Sequence, residues 1–352
     1  MGIFAQKGLI GLDIGSSSIK VVELDLEKKG PKLKHFGMMP LPPEAIVDGA
    51  FMDSANVVES IRSLLEGLKI KTKNVAVSIA GHSVIIKKIN VAPMSEAQLE
   101  EGIRWQAEQY IPFDIKDVNL DFQILDEQAD LEQMAVLLVA AKKDMIDDYT
   151  AVIEEAGLHP VIVDVDSFAL ENAYNLNYES FEDEAAALVN IGASLMNINI
   201  LKGGTSAFTR DISIGGRQIT EGIQKRLKVT YEEAEALKVK ERDAAGTSRA
   251  EVESIVQEAA EQLATEVQRS LEFFAASFSG KEIKKILLSG GCARIQVLPG
   301  LIERRIGTPV EIFDPFAKIE HNPEMFDPEY IKQVAPLAAV GVGLALRRLE
   351  EK

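Results

Sequence analysis

The chain has 352 residues, length enough for about two domains, and its 46% hydrophobic content supplies a core that needs no disulfide or metal staple. Its 38 Lys and Arg stand against 55 Asp and Glu, a net charge of −17, which argues against a broad nucleic-acid footprint and against general adhesion to anionic lipid. The single cysteine, Cys292, excludes a disulfide framework or a Cys-rich zinc site built within the chain. LIGLDIG (9–15) predicts a buried strand ending in a glycine turn. IKVVELDL (19–26) and LKHFGMM (33–39) follow through turns too short for a parallel crossover, so the three read as an antiparallel meander. An amphipathic helix over 53–68 and a strand at 74–80 come next.

A less regular stretch follows. VIIKKINV (84–91) alternates as a strand. Residues 95–110 read as a helix with Ser95 as N-cap and Gln98 in the capping-box position. Strands at 118–125 and 133–141 flank an acidic turn, DEQADLE. Then come a helix (144–156), a strand (161–165), another helix to about residue 174, and a polar, acidic linker over 175–184. After the linker the opening pattern returns: AALVNIGASLMNINIL (186–201) is a strand, glycine turn and strand, with a third strand at 204–212. DIGSSSIKVVEL (13–24) and NIGASLMNINIL (190–201) align without a gap and share Ile14/Ile191, Gly15/Gly192, Ser17/Ser194 and Leu24/Leu201. Two homologous halves are therefore expected. Helices are predicted over 216–228, 231–241 and 249–277, strands over 285–291 and 310–313, and a mostly helical C-terminal stretch over 330–350. The apolar run at 335–346 falls short of the ~20 residues a membrane span needs, and the N-terminal residues lack a secretory pattern. The expected location is the cytoplasm.

Three glycine turns carry the chemistry. Asp13, Gly15, Ser16, Ser17 and Ser18 form a hairpin whose N–H groups and hydroxyls suit an anion such as phosphate. Lys20 adds a positive charge, and Asp13 suits a water or Mg²⁺, which prefers oxygen ligands. Asn190, Gly192, Ala193 and Ser194 form the matching turn of the second half. Gly290 and Gly291 open a third turn, read here as the N-terminus of a helix. Thr230 and Glu233 make a capping box, and Glu235 and Lys238 share one helix face. Each feature also has a bland reading: a plain turn with solvated serines, or a solvated salt bridge. The four histidines show no ligand spacing, and Cys292 reads as a small packing residue.

The order of these pieces resembles the actin-like ATPase superfamily, which includes actin, sugar kinases, heat-shock chaperones and the cell-division protein FtsA. LIGLDIGSSSIKVVEL, IRWQAEQYIPFDI, and FTRDISIGGRQIT followed by YEEAEALK resemble the PilM family, the cytoplasmic actin-like components of type IV pilus assembly on the FtsA-like branch. The resemblance covers essentially the whole chain. It implies an α/β, actin-like fold: two duplicated ribonuclease-H-like lobes with an FtsA-type inserted subdomain. The first lobe would take 1–174 and the C-terminal helix 330–350, with the insert at about 82–158, and the second lobe 185–329. It implies ATP and Mg²⁺ as cofactors. Asp13, Gly15 to Ser18 and Lys20 match the first phosphate loop, with Asp13 reaching the metal through water. Asn190, Gly192, Ala193 and Ser194 match the second. Asp166 falls in the first connecting helix, near the attacking water. Gly215 and Gly216 match a glycine pair near the phosphates. Glu235 and Lys238 match ribose and adenine contacts, and Gly290, Gly291 and Arg294 the adenosine motif. Many relatives carry Asp where this chain has Asn190. An amide brings no charge, so at most slow hydrolysis is expected.

The resemblance further implies a partner: the N-terminal peptide of the inner-membrane protein PilN, bound near the insert, with Trp105, Tyr110 and Phe113 as aromatic anchors. That would place the chain at the inner membrane through its partner, with no span of its own; self-association is left open. Two other readings stand beside it. One is an FtsA-like cell-division or filament protein, disfavoured because the chain ends at LALRRLEEK without an amphipathic tail. The other is a small-molecule kinase of the same superfamily, which no substrate motif supports.

Overall fold

The computed structural model describes residues 8–27, 29–130, 133–182, 184–239, 249–277 and 282–348. Strands β1 (Ile10–Ile14), β2 (Ser18–Glu27) and β3 (Gly30–Pro40) form the antiparallel meander. After the short ribbon β4 (Ile46–Val47) and β5 (Ala50–Phe51), helix α1 (Ser54–Gly67) opens on Asp53, whose carboxylate accepts from the Asn56 N–H. Its apolar face (Val57, Val58, Ile61, Leu64, Leu65) packs in the core of the first sheet. Strand β6 (Asn74–Ile79) joins β1 in parallel.

The chain then leaves this sheet. Strand β7 (Val84–Val91), helix α2 (Glu96–Glu108), β8 (Val118–Asp130) and β9 (Gln133–Lys142) build a three-stranded sheet in the order β7-β9-β8. The Ser95–Gln98 capping box forms as the sequence predicts. Leu99, Ile103 and Ala107 of α2 close with Val136, Leu138 and Ala140 into a separate core. The stretch read as an acidic turn is strand as far as Asp130; only residues 131 and 132 of it lie outside the described set. Turn composition was overridden there by cross-strand pairing, which continues through bulges after Ile124. Helix α3 (Lys143–Glu155) returns to the first lobe, burying Met145, Tyr149, Val152 and Ile153 in its core. Strand β10 (His159–Val165) completes the first sheet in the order β10-β6-β1-β2-β3.

Helix α4 (Asp166–Asn177) crosses to the second half. There β11 (Ala185–Ile191), β12 (Met196–Lys202) and β13 (Thr205–Ile212) repeat the meander. Helices α5 (Arg217–Leu227), α6 (Tyr231–Lys238) and α7 (Arg249–Ser277) follow, then β14 (Ile283–Ser289), α8 (Leu298–Ile306) and β15 (Val310–Ile312). The second sheet has the order β13-β12-β11-β14-β15, with two antiparallel and then two parallel neighbours, as in the first sheet read from β3. The C-terminal stretch is not one helix. Pro336 has no N–H to continue the ladder, and a 3₁₀ turn (Ala335–Leu337) separates α9 (Pro328–Val334) from α10 (Ala339–Ala345). Every residue of α10 is buried. It packs on β1, β2 and α4, while α4 reaches β12 and β13. The two connecting helices thus cross between lobes, and they touch at Gly343, where an added Cβ would collide with the Ala169 carbonyl oxygen.

Candidate functional site

A cavity of about 770 Å³ opens between the two sheets. Its floor is made by two copies of one hairpin. In the first, Asp13 pairs with Lys20 across β1 and β2, and the Gly15 N–H donates to the Ser18 carbonyl at 3.2 Å. In the second, Asn190 pairs with Asn197 across β11 and β12, and the Gly192 N–H donates to the Leu195 carbonyl at 2.9 Å. Asp13, Gly15, Ser16, Ser17, Lys20, Asn190, Gly192, Ala193 and Ser194 all line the cavity. Ser18 does not; as the first residue of β2 it serves the turn through its carbonyl. Lys20 Nζ lies 3.1 Å from the Asp13 carboxylate. The Ser194 hydroxyl oxygen is buried and without a hydrogen-bond partner.

Asp166, at the start of α4, also reaches the cavity. Desolvation in the cleft wall and the nearby Asp13 charge push its carboxyl up to about 7, against the pull of a 2.6 Å hydrogen bond from the Ser78 hydroxyl. Close to it lies Tyr149, whose phenol is raised by burial and by the charges of Asp166 and Asp13. A third carboxylate, Asp211 at the end of β13, accepts from the Gly81 N–H at 2.6 Å and from the Asn197 side-chain amide. Burial raises its pKa.

The second lobe closes the other side. Gly216 donates its N–H to the Gly192 carbonyl at 2.9 Å, and Gly215 fits so closely under the hairpin that an added Cβ would be 2.6 Å from both the Gly192 and Ala193 oxygens. Lys238 Nζ donates to Glu235 at 2.7 Å, to Thr220 at 3.0 Å and to the Gly216 carbonyl at 3.3 Å. All three ammonium hydrogens are therefore engaged with protein. Glu235 also accepts from Thr220 at 2.6 Å. The third glycine turn, expected to open a helix, runs into a 3₁₀ turn (Gly291–Arg294), and α8 begins only at Leu298 with proline in its first turn. Gly290 needs its own lack of side chain: its φ is +82° and a Cβ would collide with the Ile191 carbonyl oxygen. Arg294 lines the cavity beside Gly290 and Gly291. Cys292 is buried, and burial pushes its thiol up to about 12, in keeping with a packing role.

This geometry has counterparts among known proteins. The model of the family described as type IV pilus assembly protein PilM matches residues 11–349. The chain belongs to the PilM family. It superposes on a solved structure titled as the PilM-PilN type IV pilus biogenesis complex with a TM-score of 0.86, at 28% identity, covering 97% of this chain and 99% of that one. The cell-division protein FtsA of Bacillus subtilis is 24% identical over 95% of this chain and 82% of its own length. MreB5 of Spiroplasma citri, solved bound to AMPPNP, shares the fold with a TM-score of 0.51 at 14% identity, over 96% of this chain and 94% of that one.

Neighbours that share the fold were solved with bound AMPPNP or ADP, and the cleft, with two hairpins facing one cavity, fits a nucleotide. Among the described residues no group of three or more His, Cys, Asp or Glu is placed to hold a metal directly. The partnerless Ser194 hydroxyl offers the hydrogen-bonding capacity that a phosphate or water would meet. Of the aromatic residues, Tyr110 and Phe113 are half-buried against the core of the inserted sheet, with Lys142 over the Phe113 ring at 4.6 Å. Trp105 stands 80% exposed on the outer side of α2. Sequence reasoning missed Ser78, Asn197 and Asp211. Asn197 was findable, because it occupies in the second hairpin the register that Lys20 occupies in the first.

Proposed function

We propose that the chain is a nucleotide-binding scaffold of type IV pilus assembly that takes ATP with Mg²⁺ in the cleft and binds the N-terminal peptide of a PilN-type inner-membrane protein. The observation that carries it is the pair of matching hairpins facing one cavity, in a chain whose family and whole-length structural relative are pilus proteins. Backbone N–H groups of Ser16 and Ser17 and of Ala193 and Ser194 cradle the phosphates, while those of Gly15 and Gly192 close the hairpins, and the side chain of Ser194 joins the cradle. Gly290, Gly291 and Arg294 border the base, with Glu235 toward the ribose. Lys238 holds Gly216 and Glu235 in place. ATP supplies negative charge that draws the two lobes onto one ligand, and Mg²⁺ offsets that charge, with Asp13 reaching it through water. Hydrolysis is slow, because Asn190 adds no charge at the second hairpin and Asp166 is held partly protonated. The chain sits at the inner membrane through its partner; no helix among the described residues is long and apolar enough to cross a membrane. The partner docks at the inserted sheet, with Trp105 the exposed aromatic anchor.

Two titrations test this. Saturating MgATP should raise the melting temperature, since a ligand of the native state stabilises it; an unmoved transition would end the nucleotide reading. A synthetic PilN N-terminal peptide should bind the ATP-loaded protein, and no binding in either the loaded or the nucleotide-free state would end the pilus reading. The FtsA relationship favours a second reading, a filament-forming cell-division protein. MgATP-dependent sedimentation of filaments without any response to the peptide would support that alternative.

A further inference from the structure

Asn197 is 2% exposed and lines the cavity beside the hairpin residues. Its side-chain amide is fixed from one end. The Nδ2 group donates to the Ser167 hydroxyl at 3.1 Å and to the Asp211 carboxylate, so both amide hydrogens are used. Flipping the amide would set its oxygen against a carboxylate oxygen. The Oδ1 must therefore face away from Asp211, and it is buried with no hydrogen-bond partner. A buried acceptor left alone is costly unless a ligand supplies a donor.

The chemistry of that donor is constrained. A phosphate oxygen is itself an acceptor and would be repelled. Lys20, the counterpart of Asn197 in the first hairpin, is a donor, but it ion-pairs with Asp13 and makes no hydrogen bond to Asn197 Oδ1. At the phosphate end of a nucleotide cleft, the groups with hydrogens to give are waters, and a water bound to a divalent cation is the strongest donor among them. We propose that Asn197 Oδ1 accepts a hydrogen bond from a water of the hydrated divalent cation that enters with nucleotide, making it a positioning residue for that cation on the second lobe. Asp13 would hold the cation's hydration shell from the first lobe and Asn197 from the second. This inference rests on the nucleotide reading of the cleft.

The test reads cation dependence and nucleotide affinity separately. Mn²⁺ is titrated into protein saturated with AMPPNP and followed by electron paramagnetic resonance, and AMPPNP affinity is measured in EDTA. In Asn197→Leu, half-saturation by Mn²⁺ should need about tenfold more metal, with the EDTA affinity unchanged. Asn197→Asp combined with Asp211→Asn, which reverses the carboxamide–carboxylate pair and keeps an acceptor at position 197 with added charge, should bind Mn²⁺ at least as tightly as the parent. Ser167→Ala, which removes a partner of Nδ2 and leaves Oδ1 in place, should leave Mn²⁺ half-saturation unchanged. If Asn197→Leu does not fold, the Asn197→Asp/Asp211→Asn arm decides, and weaker Mn²⁺ binding there overturns the inference. Equal Mn²⁺ dependence in Asn197→Leu and parent, or equal losses with and without metal, also overturns it. Failure of the parent protein to bind AMPPNP at all would instead sink the nucleotide reading.

Discussion

Asp166 sets the clearest expectation for a single residue. Burial and the Asp13 charge hold its carboxyl at about 7, well above the 3.8 of an ordinary aspartate. The folded state therefore keeps a proton that the unfolded chain releases. The contribution of this group to stability is fully present below pH ~4 and is lost as pH rises through about 7. Asp166→Asn, neutral at every pH, should remove that loss. Denaturant unfolding at pH 5 and pH 8 should show the parent falling relative to the variant, by at most about 1.4 kcal/mol per pH step of one. Parallel behaviour of the two proteins would show that Asp166 is not so perturbed. Trp105 is the opposite case. Because it is 80% exposed, Trp105→Ala should change stability by less than about 0.5 kcal/mol. The same variant should weaken the PilN peptide if the indole is an anchor.

Elements meet at two points that can be broken selectively. The turn between β6 and β7, which leads into the inserted sheet, is tied to β13 of the other lobe: Gly81 donates to Asp211, and His82 Nε2 lies 2.9 Å from the Ser213 hydroxyl. Asp211 also holds Asn197 on the cavity wall. Asp211→Ala should cost about 1–3 kcal/mol in unfolding free energy and lower MgATP affinity, while Ser213→Ala should leave the fold intact. An Asp211→Ala protein with full stability and affinity would show the tie to be incidental. The second point is the crossing of α4 and α10. Gly343→Ala drives a methyl into the Ala169 carbonyl oxygen, and neither helix can yield without moving a lobe. A loss of about 3 kcal/mol or more is expected, with a shrunken MgATP-induced rise in melting temperature.

For the molecule as a whole, duplication explains why the site exists. Each half brings a hairpin at the end of its first strand, and the connecting helices exchange between halves so that the hairpins face each other. The halves are not equivalent in charge. The first hairpin carries the Asp13–Lys20 ion pair, and the second carries Asn190 and Asn197 in the same register. Closure on ATP should therefore leave the first hairpin more sensitive to charge changes. Lys20→Ala is expected to weaken MgATP binding more than Asn190→Ala, as calorimetric titration of both variants would measure; the reverse order would assign the dominant phosphate contact to the second lobe.

Much of this was written in local sequence. Period-two and period-3.6 patterning located most strands and helices, two capping boxes marked the starts of α2 and α6, and the gapless match of residues 13–24 with 190–201 announced the repeated hairpin. These features depend on residues close along the chain, so they survive without a tertiary context. What only the fold decided depends on residues far apart. The approach of Asp211 to Gly81, the burial that lifts the Asp166 carboxyl and the partnerless oxygen of Asn197 come from elements brought together across the cleft. The extension of β8 through an acidic run was likewise settled by pairing, whereas the division of the C-terminal stretch at Pro336 follows from a proline present in the local sequence. Burial and long-range hydrogen bonds are properties of the assembled lobes, and no window of sequence contains both partners.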